Sequence, residues 1–425
     1  MHKFHECPKG GIDAVMFPYP FYYFSCHDYT EQEEERIEKI NNAFFNEMHI
    51  HVGGVAGDTG IEGVKLDFRN GLRLQIPAGD YHVRLSDAET GIILFDEDVS
   101  EVILASEEKY YIPWLVEIFF AGQKVFEHQF DTEGQHVHIM VVSRCLGDVL
   151  AILPGVAMYA ESHNVQISMD VGENLRDFVR EAYPQFVLCQ YVPEDVYAVF
   201  YLAAGLGDPH FMPINGQMMP LRAAVQQIMG LEQLPPRVPW QPHKPRRIKE
   251  PYVCIAVQAS GVAKSWLWPG GWEEIVAYLK NLGYRVLCID RDREQSEYGI
   301  TVKIPAGAED FTGNHPLAER ADMLAYADFF IGLSSGLSWL AWMAGCPAVL
   351  IAGFTAPWYE FPESYRVMNP RVCHFCFHDE KIHYIDRACQ RYEKDSEHYL
   401  ECQRMIPPIM VKRAIERCIH DHGRQ

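Results

Sequence analysis

The chain has 425 residues, of which 48% are hydrophobic and 22% are charged, and it carries a formal net charge of −21. The composition is that of an ordinary globular protein, and the length is sufficient for two or three domains with full cores. The strong negative charge excludes extended contacts with nucleic-acid phosphate or with an anionic membrane, so we expect protein or small-molecule partners.

The first ten residues, Met1–Gly10, lead into no uninterrupted apolar segment of the kind found in export signals. We therefore expect the protein to act in the cytoplasm of its cell. In that reducing compartment the twelve cysteines are expected to be thiols or metal ligands and not disulfides.

Residues 1–135 are predicted to form an N-terminal helix and a small antiparallel β domain, a barrel or a sandwich. Isoleucine and phenylalanine recur at helical spacing from about Thr30 to Met48, behind the acidic run Glu31–Glu35. Short alternating segments separated by turn residues then predict strands at Gly63–Phe68, Leu72–Ile76, Tyr81–Leu85, Ile92–Phe95 and Tyr110–Phe119. Because none of these segments carries a catalytic pattern, we assign the region to assembly or to docking of an acceptor.

The remainder of the chain is predicted to contain two α/β halves of the Rossmann type with a cleft between them. Apolar strands alternate with helices on both sides of a stretch that holds six prolines, which is typical of a linker. The predicted boundaries are 136–234 for the first half, 235–251 for the linker, 252–370 for the second half and 371–425 for a cysteine-containing segment with a C-terminal helix.

The stretch Phe329–Trp358 contains no Asp, Glu, Lys or Arg. Its glycine, serine and proline residues divide it into pieces too short to cross a bilayer, so we expect a buried strand, helix and strand and no membrane span. Ser334, Ser335 and Gly336 then lie where a helix begins. Unpaired backbone N–H groups at such a point suit a phosphate ligand.

Three further residues are candidates for chemistry at this cleft. Asp148 follows Gly147 between a predicted strand and helix, where its carboxylate is either a general base or a helix-start residue. Lys264 lies in the loop after the first strand of the second half. It is either a ligand for diphosphate or an exposed surface lysine. Asp290 ends a strand at a position that often binds ribose.

Four cysteines in a polar segment are spaced C-x2-C-x12-C-x12-C: Cys373, Cys376, Cys389 and Cys402. Four thiolates within 30 residues can enclose one tetrahedral ion, either zinc or a single iron. The alternative is a set of scattered buried thiols. The neighbouring His374, His378 and His383 are less favoured ligands.

Together these residues resemble the bacterial autotransporter heptosyltransferases, relatives of the lipopolysaccharide heptosyltransferases with the two-domain GT-B fold. The resemblance covers His136 to about Cys418, and its strongest parts are the apolar stretch, the sequence CLGDVLAILP and the cysteine quartet. Lipopolysaccharide enzymes usually have Asp-Thr-Gly-Leu-Ser-His where this chain has Ser-Ser-Gly-Leu-Ser-Trp, from Ser334 to Trp339. That difference argues against a lipopolysaccharide acceptor.

The resemblance implies transfer of heptose from ADP-heptose to serine hydroxyls of an autotransporter adhesin passenger, with no catalytic metal. It also implies one structural iron in the four-cysteine finger, with zinc as the alternative, and a dodecameric homo-oligomer. The implied roles are Asp148 as general base and Lys264 as diphosphate ligand, with Ser335, Gly336 and Leu337 as the diphosphate loop. A lipopolysaccharide-core heptosyltransferase and a non-catalytic passenger-binding scaffold remain the competing hypotheses.

Overall fold

The computed structural model of the chain describes residues 14–17, 54–202, 210–379 and 388–422. The predicted helix from Thr30 to Met48 lies outside these residues. Within them, none of the helices combines the length and the hydropathy that a transmembrane segment requires.

Two four-stranded sheets form the N-terminal domain and share one hydrophobic core. Their orders are β1-β6-β3-β2 and β5-β4-β7-β8, and the pairing is antiparallel except that β1 runs parallel to β6. Alternate residues of the central strands, such as Trp114, Val116 and Ile118, are fully buried, which is the period expected of half-covered sheets. The bounds are β1 Ala14–Phe17, β2 Lys65–Asp67, β3 Arg73–Ile76, β4 Tyr81–Asp87, β5 Ile93–Val99, β6 Val102–Ser106, β7 Trp114–Phe120 and β8 Gln123–Gln129.

A parallel four-stranded sheet with the order β11-β10-β9-β12 forms the first α/β half. The N-terminal domain packs directly on it, because Val199 N–H donates to the carbonyl oxygen of Phe68 at 2.9 Å. The strands are β9 His136–Val141, β10 Gln166–Asp170, β11 Val187–Leu188 and β12 Ala198–Leu202, and the helices are α1 Leu146–Ser162, α2 Glu173–Ala182 and α3 Ala223–Met229.

The second half is built on a parallel sheet of six described strands with the order β17-β14-β13-β18-β19-β20. Every residue of β18 and β19 is buried, as expected for strands covered by helices on both faces. The strands are β13 Tyr252–Ile255, β14 Arg285–Cys288, β17 Glu309–Asp310, β18 Phe329–Leu333, β19 Ala348–Ile351 and β20 Tyr365–Val367, with a hairpin of β15 Glu294–Glu297 and β16 Ile300–Lys303. The helices are α4 Gly271–Asn281, α5 Leu317–Tyr326, α6 Gly336–Met343, α7 Glu401–Arg404 and α8 Pro408–His422.

The proline-rich segment 235–251 contains neither helix nor strand, yet it is fixed to both halves. The buried carboxylate of Asp322 accepts hydrogen bonds from the Trp240 indole at 2.8 Å and from the backbone N–H groups of His243 and Lys244. On its other side Trp240 stacks against Phe178 of the first half with a ring separation of 5.3 Å. These contacts hold the two halves in one relative position across the cleft.

Candidate active site between the two halves

The first turn of α1 meets the first turn of α6, and glycine makes this close approach possible. A Cβ added at Gly336 would lie 2.7 Å from the Cβ of Leu146, and one added at Gly147 would lie 3.0 Å from Cδ1 of Trp339. Larger residues at either position would push the halves apart. The loop that follows β9 and the loop that follows β18 therefore lie next to each other.

Asp148 lies in the first turn of α1. Ser143 donates a hydrogen bond to Oδ2 of Asp148 at 2.5 Å. Burial raises the pKa of Asp148, while the Ser143 hydroxyl and the positive charge of Lys264 act in the opposite direction. A carboxyl group with a raised pKa binds a proton more readily than an ordinary aspartate, as a general base must.

Lys264 is near enough to Asp148 for its positive charge to lower the pKa of that carboxyl group. Lys264 ends a short 3-10 turn, Val262–Lys264, on the loop after β13. Tyr359 is buried close to Asp148. Burial is the main cause that raises the pKa of the Tyr359 hydroxyl, and the negative charges of Asp148 and Glu360 raise it further. Asp148 and Lys264 are therefore neighbours in the fold, and their roles as base and as phosphate ligand stay predictions.

The two serines at the start of α6 differ in their surroundings. Ser335 is the N-cap residue, and its Oγ is buried without a hydrogen-bond partner among the described residues. The Ser334 hydroxyl is instead directed inward, where it donates to the buried carboxylate of Glu360. A polar ligand at the start of α6 would therefore contact Ser335, Gly336 and Leu337. The Ser334 side chain is bonded within the protein interior and is not free to bind such a ligand.

Glu360 connects the loops after β18 and β19 to strand β20, a role that no sequence pattern indicates. Its Oε1 accepts hydrogen bonds from Ser334, after β18, and from Thr355, after β19, the latter at 2.6 Å. Its Oε2 pairs with the guanidinium group of Arg366 in β20, and Arg366 also binds Thr355. This network fixes the backbone on which Ser335 and Gly336 lie.

Asp290 is nearly fully buried, and both of its carboxylate oxygens accept backbone N–H groups. Oδ2 accepts from Val257 at 2.8 Å and Oδ1 accepts from Gln258 at 3.3 Å. Burial raises the pKa of Asp290 to about 6. In this arrangement Asp290 holds the start of the loop that carries Lys264, and a role as ribose ligand stays a prediction.

The four predicted metal-ligand cysteines lie close together, although no group of three or more His, Cys, Asp or Glu side chains in the described ranges is arranged to hold a metal. A hydrogen bond from Cys402 lowers the pKa of Cys373 to about 7, whereas the pKa of Cys402 is raised by that bond, by burial and by the charges of Cys376 and Cys389. The ring nitrogens Nδ1 of His374 and His378 are engaged with backbone carbonyl groups. His383 lies outside the described residues.

Comparisons with known proteins identify the family. A model described as "Glycosyltransferase family 9 (heptosyltransferase)" matches residues 198–391, and one described as "Glycosyltransferase TibC, N-terminal domain" matches residues 60–122. The autotransporter heptosyltransferase BAHTCr of Citrobacter rodentium is 35% identical over 369 residues, which are 84% of this chain and 90% of that protein. This chain belongs to the autotransporter heptosyltransferase family.

Two further relatives of this heptosyltransferase are informative. The crystal structure of TibC from enterotoxigenic E. coli H10407, an iron-containing dodecameric glycosyltransferase, has a TM-score of 0.82 and 33% identity, covering 88% of this chain and 100% of that chain. TibC has also been solved in complex with ADP-D-β-D-heptose. BimC of Burkholderia thailandensis, an inactive autotransporter heptosyltransferase, is 33% identical over 84% of this chain and 86% of that protein. The GT-B-like fold with an added N-terminal domain is thus confirmed.

Replacing Glu360 of this heptosyltransferase with glutamine is expected to lower its unfolding free energy by about 3–5 kcal/mol, because Arg366 would lose its buried anionic partner. We also expect a higher KM for the donor, since the loop of Ser335 would lose its support. Denaturant unfolding and steady-state kinetics measure the two effects.

The control is Glu309→Gln in the part-exposed pair with Arg285, which should cost less than about 1 kcal/mol and leave KM unchanged. Equal, small losses in both variants would contradict the role given to Glu360.

Proposed function

We propose that the chain transfers heptose from ADP-heptose to serine hydroxyls of an autotransporter adhesin passenger, in the cytoplasm before export. The observation that carries this proposal is the close approach of the start of α1, which contains Asp148, to the start of α6, with Lys264 near enough to influence Asp148. The solved complex of TibC with ADP-D-β-D-heptose supports the choice of donor. The family name of the relatives supports the choice of acceptor.

In the proposed reaction the oxygen of an acceptor serine attacks the anomeric carbon of the heptose. The bond from that carbon to the β-phosphate oxygen breaks as the new glycosidic bond forms, and Asp148 takes the serine proton. Lys264 and the backbone N–H groups at Ser335, Gly336 and Leu337 stabilise the negative charge that remains on ADP. A single displacement of this kind inverts the configuration at the anomeric carbon, and it involves no catalytic metal.

The relative BimC supplies a specific second candidate, a passenger-binding protein without transferase activity. Incubation of the purified protein with ADP-heptose and a passenger fragment distinguishes the two, with ADP release and the intact mass of the passenger as readouts. We expect ADP release that depends on the passenger and a passenger that gains heptose. A lipopolysaccharide-core acceptor in a parallel reaction is expected to release no ADP. Stable binding of the passenger without any ADP release would favour the scaffold.

We further propose that Cys373, Cys376, Cys389 and Cys402 hold one iron ion, as an all-sulfur donor set permits. The mutual proximity of these thiols and the iron-containing relative TibC support this assignment. When bound, the ion would cross-link parts of the chain that are distant in sequence, and the transfer reaction makes no use of it. Purified protein is expected to be coloured by ferric-thiolate absorption. Colourless protein with one zinc ion per chain would contradict the choice of iron.

The dodecameric state of TibC leads us to propose a large homo-oligomer for this chain as well, assembled through the N-terminal β domain. Light scattering on the eluting protein measures the mass of the particle. A monomeric mass of 48.8 kDa would contradict the proposal.

A further inference from the structure

One residue of the four-cysteine segment is bonded both to the turn that contains Lys264 and to the residues that follow it. Gln403 directly follows Cys402 and is completely buried. The side-chain amide of Gln403 donates to the backbone carbonyl oxygen of Ala263 at 2.7 Å. The backbone carbonyl oxygen of Gln403 accepts a hydrogen bond from the backbone N–H of Leu267 at 3.1 Å. The residues that flank Lys264 are therefore positioned by Gln403.

The same turn shares a small hydrophobic cluster with the cysteine segment. Val262 and Ala263 pack there against Cys376, Ala388 and Leu400, apart from the two larger cores of the molecule. A short 3-10 turn has weak internal hydrogen bonding and depends on such outside contacts for its conformation. Loss of order in the cysteine segment would remove most of these contacts.

Further bonds attach residues 402–406 to the cleft loops of the second half. The buried indole of Trp266 donates to the carbonyl oxygen of Ile406 at 2.8 Å. Gly353, which follows β19, lies very close to Cys402. A Cβ added at Gly353 would be 2.4 Å from the backbone carbonyl oxygen of Cys402. The peptide on either side of Cys402 is thus in contact with two loops that lead to the proposed donor site.

From these contacts we propose that Gln403 is a positioning residue that couples the four-cysteine segment to donor binding. A metal bound by the four cysteines would hold Cys402 and thereby the adjacent Gln403, and Gln403 bonds to the turn that carries Lys264. The inference rests on the proposed function of Lys264. Because such a coupling is reciprocal, donor binding should in turn hold the cysteine segment in its ordered form.

The test compares ADP binding by calorimetry to the wild type, as purified with its metal, and to Gln403→Leu, which keeps the size of the side chain but cannot donate. We expect the Kd for ADP to rise about five- to tenfold, as for loss of one buried hydrogen bond, with metal content unchanged. The donor KM should rise in parallel while kcat changes little. The control is Gln390→Leu, beside Cys389, whose amide donates within its own segment to Ala388 at 3.1 Å. Equal Kd values for all three proteins would overturn the proposal.

Hydrogen exchange on the wild type gives a second readout that requires no variant to fold. Removal of the metal by a chelator is expected to speed exchange at residues 262–267, and addition of ADP to the metal-bound protein is expected to slow exchange at residues 400–406. A hydrogen-exchange rate at residues 262–267 that is the same with and without the metal would contradict the coupling. A wild type that binds no ADP at all would refute the proposed function instead, and the response of residues 262–267 to the metal would still decide the coupling.

Discussion

Asp148→Asn is expected to reduce the rate of heptose transfer by about 10²–10⁴-fold, the contribution typical of a general base. The asparagine amide cannot accept the serine proton, although it can still accept the hydrogen bond from Ser143. Donor binding should change little, because the diphosphate is assigned to Lys264 and the start of α6. Transfer rates at saturating ADP-heptose measure the effect.

The matched control is Asp177→Asn, which replaces an exposed aspartate of the same half that pairs with Arg180 on the protein surface. It should leave the rate unchanged. If Asp148→Asn retained activity within a few-fold of wild type with its fold intact, Asp148 would not be the base.

The raised pKa of Asp148 also has a consequence for stability and for the pH profile. Because the folded state binds this proton more tightly than the unfolded state, the contribution of Asp148 to stability is present at low pH and is lost as pH rises through the raised pKa. At pH 7 the Asp148→Asn variant should therefore be at least as stable as wild type by thermal unfolding. The wild-type rate should fall on acidification at a higher pH than an ordinary aspartate would give.

The second large effect is expected for Lys264→Ala, which should weaken ADP binding about 10- to 100-fold through loss of a charge-assisted hydrogen bond. The same substitution removes a positive charge that lowers the pKa of Asp148. The acidic limb of the pH–rate profile should therefore move to higher pH. Calorimetric titration with ADP and rates measured across pH test the two parts separately.

Lys280→Ala is the control for this variant, since Lys280 lies on the exposed face of α4 and donates to the carbonyl oxygen of Gly307 at 3.3 Å. It should bind ADP as wild type does. Unchanged ADP affinity in Lys264→Ala would exclude Lys264 from the donor site.

Much of the α/β architecture could be predicted because buried parallel strands appear in sequence as apolar runs. The uncharged stretch predicts strand, helix and strand, and the structure has β18, α6 and β19 there. Elements whose residues are mostly polar and exposed were not predicted. Among them are β8, the hairpin β15–β16 and helix α2, and the alternately buried strand β6 was not predicted either. The conformation of β8, the hairpin and α2 depends on their pairing and packing partners, and no apolar run of their own marks them in the sequence.

At the site, loop positions could be predicted but the directions of side chains could not. Adjacent parallel strands bring their carboxyl ends to one edge, so Lys264, Ser335 and Gly336 could be placed together from sequence. The partner of Ser334 is Glu360, 26 residues away on another loop, and no local pattern marks that pair. Asp290 likewise binds backbone N–H groups of a distant strand end, which sequence spacing does not reveal.

The most direct measurement is the intact mass of an autotransporter passenger co-expressed with the wild-type protein or with Asp148→Asn. Heptose transfer through Asp148 predicts a passenger that carries heptose units with the wild type and an unmodified passenger with Asp148→Asn, at equal levels of folded protein. A passenger left unmodified by the wild type, or modified equally by both proteins, would contradict the account.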